Sequence, residues 1–366
     1  MRFVSLFTGV GGFDLGLEAA GFECVAQVER DLHCLEVLHR RWPEVPKWAD
    51  VVKVDGAMLP VAEMVAFGSP CQDLSVAGHK AGFVEGGRSN LFFEAIRIVK
   101  EMCDAADATQ SVRPRYVIWE NVPHALRSNG GKDFGSVLDA LAELGALDIG
   151  WRVLDARFFG VPQRRRRVFV VADLGGHNAG PVFADTSSSQ WHPSARLTPW
   201  AHSSPRSARR TDVVVAGALT ATGVGTCGAD DNQAQARHLV AFSHTQGLDC
   251  QPSQTHWPTL RAGGGGHAVA ISENQHGYVS ERLYAPSQVT EGGKPGSGYS
   301  AARIGNMVRR LTPVECERLN GWPDDHTRWR VNGDEIADHI RYAMCGNGVA
   351  APVAHWIGHR LMALHR

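Results

Sequence analysis

Three short stretches carry residues whose types and spacing suit bond-making chemistry. In AFGSPCQDLSVAG (66–78) a cysteine, Cys71, follows a proline inside a turn of small residues, directly after the strand-like run EMVAFG (63–68). A lone cysteine is more often a small buried hydrophobe. Here the flanks are turn-forming rather than apolar, and a second strand-like run, RYVIWE (115–120), ends in the carboxylate of Glu120. Both would lie at the carboxyl edge of the sheet, where open α/β folds place their ligands. Burial in the apolar setting of IWEN favours a protonated glutamate unless it is paired or used. A thiolate beside a protonatable carboxyl suits attack on an electron-poor ring that must be activated by protonation. In the third stretch, VPQRRRRVFVV (161–171), an extended backbone puts Gln163, Arg165 and Arg167 on one face and Arg164 and Arg166 on the other. Basic runs are usually a solvated face, yet arginines on the lip of an apolar strand also suit phosphate and carbonyl oxygens.

A cofactor loop precedes them. LFTGVGGFDLG (6–16) runs a strand into Gly9, Gly11 and Gly12 and then into a helix, so that backbone can approach a nucleotide-like ligand closely. The dinucleotide fingerprint fails because Asp14 stands at its third glycine, which disfavours a nicotinamide dinucleotide. A glycine turn alone is as often purely structural. Glu29, ending CVAQVE, could accept from two ribose hydroxyls, and Asp50 could accept from an exocyclic amine. Together they favour an adenosine-containing cofactor without a pyrophosphate.

The elements that must position these residues alternate short apolar runs with amphipathic stretches over 1–175, the pattern of βαβ units. FVSLF (3–7), EMVAFG, RYVIWE and RVFVVAD (167–173) read as strands, and 13–21, 90–102 and 133–145 carry helical spacing. The expected class is α/β, a doubly wound, mixed but mostly parallel sheet, with a smaller, mainly β second domain over 176–310 and a junction and C-terminal segment over 311–366. In the second domain ALTATGVG…HLVAFSHTQG (218–247) is echoed by PTLRAGGGG…HAVAISENQHG (258–277). These are either two strand–turn–strand units or a glycine-rich loop region that only looks repetitive. Residues 289–307 read as a mobile linker.

Composition narrows the class. The chain has 366 residues, 43% of them hydrophobic, and a net charge of −1, so a polyanion would have to be bound by a local patch. Eight cysteines without a CxxC pair or zinc spacing argue against a disulfide framework and a structural metal, and for a reducing, cytoplasmic setting. No signal peptide or membrane span is expected.

Taken in order, FTGVGG, GSPCQDLSVAG, ENV, QRRRR, RRLTPVECERLNGWPDD (309–325) and GNGVAAPVA (346–354) resemble the DNA (cytosine-5) methyltransferase family. The resemblance implies methyl transfer from S-adenosyl-L-methionine to C5 of a cytosine flipped out of double-stranded DNA, with Cys71 adding to C6. Glu120 would hold and protonate N3. Arg167, with Arg165, would bind the base O2 or support the Cys71 and Glu120 geometry. Phe7 and the loop of Gly9, Gly11 and Gly12 would face the cofactor, Glu29 its ribose, and Asp50 and Val51 its adenine. Pro70 and Leu91 would lie alongside, and Asn347 and Val349 would close the site from the C-terminal segment. The loop 78–90 would close over the flipped base. Gln72, Ser75 and Gln163 are expected DNA contacts, as are Arg209 and Arg210 in the run 187–211, which carries arginines and no acid. That run could equally be an exposed linker.

The family's target-recognition region would correspond to about 176–308. Leu74 departs from an aromatic common after the catalytic cysteine, and Ala49 from a frequent glycine before the adenine-binding acid. The resemblance further implies a monomer, and a role either beside a restriction endonuclease or as an orphan or phage-borne modifier. An RNA (transfer RNA) cytosine-5 methyltransferase and a catalytically inactive DNA-binding relative are the alternatives.

Overall fold

In the computed structural model the described residues are 1–70, 91–184 and 311–365, together with the backbone of short strands between 241 and 310. The first unit is built on a seven-stranded sheet, in the order β3-β2-β1-β4-β5-β7-β6. Its strands are β1 (Arg2–Leu6), β2 (Glu23–Val28), β3 (Lys47–Trp48), β4 (Met64–Phe67), β5 (Tyr116–Asn121), β6 (Asp148–Asp155) and β7 (Arg166–Asp173). β1 to β5 pair in parallel, whereas β7 inserts antiparallel between β5 and β6. The mixed, mostly parallel sheet expected from the sequence is present. The strand β6 was not foreseen.

Alternation along the strands divides the core into two layers. Val117 and Trp119 of β5 face a layer with Phe92, Ile98 and Val99 of α3 (Leu91–Thr109) and Val137 and Leu141 of α4 (Lys132–Glu143). Tyr116 and Ile118 face the other way, onto Phe13 and Leu17 of α1 (Gly12–Ala19), the short α5 (Ala179–Phe183) and the last helix, α8 (Ala351–Leu364). Every residue of β4 and β5 is buried, as expected of central strands covered on both faces. Gly16 and Gly358 allow α8 to lie close on α1: a Cβ at Gly16 would sit 2.3 Å from the Ala351 carbonyl.

Each helix start has a local cause. α1 begins after Gly11 at φ +83°, and a Cβ there would meet the Trp42 ring at 2.3 Å. The Asp31 carboxylate caps α2 (Leu32–Arg41), accepting from the amides of His33 and Cys34, and His39, Arg40 and Arg41 complement the dipole at its far end. A Thr312/Glu315 capping box opens α6 (Pro313–Leu319). α7 (Asp338–Asn347) stops at Gly348, and α8 restarts with proline in its first turn. A third cluster, including Val10, Val37, Leu319, Trp322 and Met344, joins α2, α6 and α7 to the glycine loop after β1.

Among the described strands beyond residue 240, β10 (Ala268–Glu273), β11 (Val279–Arg282), β12 (Ser300–Ile304) and β13 (Met307–Arg310) form an antiparallel sheet in the order β11-β10-β12-β13. β8 (Ala241–Phe242) pairs with β9 (Pro252–Ser253). The second half of the echo noted above thus contains a six-residue strand. Its first half lies largely outside the described residues, as do 176–310 side chains beyond residue 184.

Candidate active site

Strand direction gathers the chemistry at one edge. Phe7 and Gly9 follow β1, Glu29 follows β2, Gly68 to Pro70 follow β4, and Glu120 to Val122 end β5. Because β7 runs antiparallel, Arg165 and Arg167 at its start reach this same edge. All of these residues line one cavity of about 480 Å³, closed by Ile340, Ala343, Met344, Gly346, Asn347 and Gly348 from α7 and the turn after it.

On the wall formed after β1 and β2 the Glu29 carboxylate is already hydrogen-bonded to backbone. Glu29 Oε2 accepts from the Gly9 amide at 2.7 Å, and Oε1 accepts from the amides of Arg30 and Asp31, each at 2.7 Å. Burial raises the Glu29 pKa and these bonds oppose the shift. Gly9 has φ +58° and nothing within 4 Å of where a Cβ would point, so its backbone faces open space. Phe7, a non-glycine at φ 51°, is held in a sparsely populated conformation. The neutral ring of His326 donates from Nε2 to the Val10 carbonyl at 2.7 Å, and burial pulls its pKa to about 3. Gly12 leaves room for Val349, whose carbonyl a Cβ would approach to 2.5 Å.

The opposite wall differs. Glu120 is buried, and Arg167 Nε lies 3.1 Å from its Oε1 as an ion pair too poorly aligned to count as a hydrogen bond. Burial raises the Glu120 pKa, while Arg167 and Arg165 pull it down. Gly68 leaves space beside this carboxyl, since a Cβ there would lie 3.1 Å from Oε2. Arg165 is 3% exposed, and its Nη2 donates to the carbonyls of Gly346 at 3.0 Å and Gly348 at 2.6 Å. Its Nε and Nη1 are buried without a partner. Burial and neighbouring Arg167 lower its pKa to about 9, which leaves it charged at neutral pH.

The GSP turn is pinned to β5. Trp119 Nε1 donates to Ser69 Oγ at 3.0 Å, and Asn121 Nδ2 donates to the Ser69 carbonyl at 3.1 Å. This lock fixes the chain up to Pro70, the residue before Cys71. Sequence reasoning missed it because the partners lie about fifty residues apart with no local signal. It also missed Asp14, a buried carboxylate accepting from Ser5 Oγ (2.9 Å), Gln27 Nε2 (2.7 Å) and Cys24 Sγ (3.3 Å), which ties α1 to β1 and β2. Arg97 of α3 clamps the segment carrying Asp50 and Val51 through the carbonyls of Val51 (3.0 Å) and Val54 (2.9 Å).

Phe7, Gly9, Glu29, Pro70, Glu120, Arg165, Arg167 and Asn347 are therefore brought together at the cavity. Gly11, Gly12 and Val349 stand behind its wall. Asp50 caps the turn Val51–Lys53, Val51 belongs to the core, and Leu91 packs on that core; none of the three lines the cavity. Gln163, expected at DNA, is fully buried, and neither end of its amide has a hydrogen-bond partner. Cys71, Gln72, Leu74, Ser75, the loop 78–90, and Arg209 and Arg210 lie outside the described residues.

A mixed, mostly parallel sheet thus carries a glycine loop, an acid after its second strand and a buried acid–arginine wall on one cavity. Comparison with known proteins gives the family. The model of the C-5 cytosine-specific DNA methylase family matches residues 1–363, and the chain belongs to that family of DNA cytosine-5 methyltransferases. The Type II methyltransferase M2.BsuMI of Bacillus subtilis (strain 168) is 30% identical over 99% of this chain and 75% of its own length. A protein of Escherichia phage P1 named DNA N-6-adenine-methyltransferase is 28% identical over 98% of this chain, which spans only 60% of that longer protein. The crystal structure of S. pombe Dnmt2 methyltransferase shares the fold, with a TM-score of 0.58, 14% identity and full coverage of both chains.

Proposed function

We propose that this enzyme methylates C5 of a specific cytosine in duplex DNA through a covalent adduct of Cys71 with C6, on a base flipped out of the helix. S-adenosyl-L-methionine, when bound, supplies an electrophilic methyl group. The residues fit such a group: the Gly9 backbone faces open space, the fixed Glu29 carboxylate retains acceptor capacity for ribose hydroxyls, and Asn347 faces them from the closing turn.

The protein's own residues would work as follows. The Cys71 thiolate forms a bond to C6, and the displaced electron pair makes C5 nucleophilic. Glu120 donates a proton to N3, so the ring does not accumulate negative charge. Arg165 and Arg167 donate to the base O2 or keep Glu120 in place. After C5 has gained its methyl group, a base removes the C5 proton, the C5–C6 double bond re-forms as the thiolate leaves, and the N3 proton returns to Glu120. Flipping is required because the stacked base cannot reach a cavity edge.

One observation carries this reading: a buried carboxyl and a buried guanidinium, each with atoms lacking hydrogen-bond partners, face the cavity that Gly9 and Glu29 also line. Methyl transfer to an exocyclic amine, as the phage P1 name describes, would need no protonation of a ring nitrogen. Within this reading 1–175 is the catalytic domain, 176–310 recognises the target, and 311–366 is the segment that closes the cofactor site. A companion restriction endonuclease or an orphan role fits the Type II relatives equally. The test is to express the protein in cells lacking other cytosine methylation and analyse nucleosides from DNA and transfer RNA by mass spectrometry. New 5-methyldeoxycytidine is expected; methylated cytosine in RNA alone, or N6-methyladenine instead, would overturn the proposal.

A further inference from the structure

The Arg165 side chain joins the two walls of the cavity. Nη2 holds the carbonyls of Gly346 and Gly348, which flank Asn347, while Nε and Nη1 of the same planar fork are buried and unpartnered beside Glu120 and Arg167. A guanidinium is rigid, so two carbonyls on one nitrogen restrict where its remaining N–H groups can point. The turn it grips is fixed from behind as well. Asn320 Nδ2 donates to the Cys345 carbonyl at 2.9 Å, and Trp322 Nε1 donates to the Val349 carbonyl at 3.0 Å. Gly348 lies so close to Trp322 that a Cβ would come within 2.3 Å of the ring. The turn therefore cannot shift without moving Arg165, and Arg165 cannot turn toward a substrate without pulling on the turn.

We infer that Arg165 is a positioning residue that couples the two ligand sites: its grip on the Gly346–Gly348 turn shapes the cofactor wall, and its unpartnered N–H groups take an acceptor on the base side. The inference rests on reading the cavity as the S-adenosylmethionine site. Coupling of this kind is reciprocal, so whatever orders one site favours the other. Arg167 supplies the contrast. It pairs with Glu120 and donates to the Arg166 carbonyl, neither of which belongs to the turn.

The test measures S-adenosylmethionine binding to the DNA-free enzyme by calorimetry, for wild type, Arg165→Lys and Arg167→Lys. A group serving only the base would leave this affinity alone. Lysine keeps the charge at 165 but loses the fork, so Arg165→Lys is expected to weaken cofactor binding about tenfold, while Arg167→Lys stays within about twofold. Equal binding by Arg165→Lys and wild type, or equal weakening by both variants, would overturn the inference. Failure of wild type itself to bind S-adenosylmethionine would instead overturn the cavity assignment on which it stands. Wild-type hydrogen exchange keeps the question open to refutation if Arg165→Lys does not fold. Added cofactor should slow exchange in peptides covering both 344–349 and 163–168, and protection of the first alone would contradict the coupling.

Discussion

The two walls of the cavity are built on opposite principles. On the cofactor wall Glu29 is tied by three backbone amides and His326 holds the Val10 carbonyl, so the polar groups are bonded before any ligand arrives. On the base wall Glu120 Oε1 and two nitrogens of Arg165 are buried without hydrogen bonds. A buried group in that state costs about 1–3 kcal/mol, more when charged, unless something else lowers it. Under the proposed function, the difference separates a wall that keeps a binding shape from one whose missing partners come with the substrate. Storing unmet hydrogen-bonding capacity where charge develops is how a site favours the reacting state over the resting one.

Substitutions should respect that division. The largest effect belongs to the base wall: Glu120→Gln keeps the size of the side chain but removes its proton, and should lower kcat by about 10²–10⁴-fold with cofactor affinity unchanged. Because burial raises the Glu120 pKa and the proposed mechanism uses the acid form, wild-type kcat should fall as pH rises through that value. A pH–rate profile of both proteins checks this, and an alkaline limb that survives in Glu120→Gln would assign it to another group.

Gly12→Ala, behind the cofactor wall, forces a Cβ to within 2.5 Å of the Val349 carbonyl. Overpacking of this kind should cost about 1–3 kcal/mol in denaturant unfolding and weaken the cofactor before it touches chemistry. His326 offers a pH-dependent version. Its pKa is about 3 folded against an ordinary 6.5, so the unfolded chain binds the proton that the folded protein refuses. The contribution is complete above pH 6.5 and shrinks as pH falls toward 3, by up to about 1.4 kcal/mol per pH unit. His326→Gln should flatten that part of the stability–pH curve relative to wild type. The mildest change, Glu29→Gln, should raise the cofactor Kd about tenfold and leave kcat at saturation nearly intact. A comparable loss of kcat would erase the distinction between the walls.

What the sequence disclosed follows the same physics. Glycines before a helix, an acid at a strand end and alternation through QRRRR are local signals, and the cavity contains Gly9, Glu29, Glu120, Arg165 and Arg167 together. Long-range packing was not legible. Nothing near Ser69 announces Trp119 and Asn121, Asp14 read only as a broken fingerprint, and Gln163 followed the arginines by periodicity into the core. The strand β6 was missed because its half-buried, charged sequence DIGWRVLD lacks the continuous apolar run of its neighbours. Asn347 came only with the family resemblance, since no spacing predicts that α7 ends at the mouth of the first domain.

The central claim, that the base wall protonates a cytosine while Cys71 bonds to it, has a direct test. Random-sequence duplex DNA synthesised with 5-fluorodeoxycytidine throughout is incubated with the enzyme and S-adenosylmethionine, because fluorine at C5 cannot leave as a proton and the adduct should persist. The account predicts a denaturant-stable protein–DNA complex for wild type, sharply less for Glu120→Gln and none for Cys71→Ser. No complex with wild type, or an undiminished one with Cys71→Ser, would contradict it.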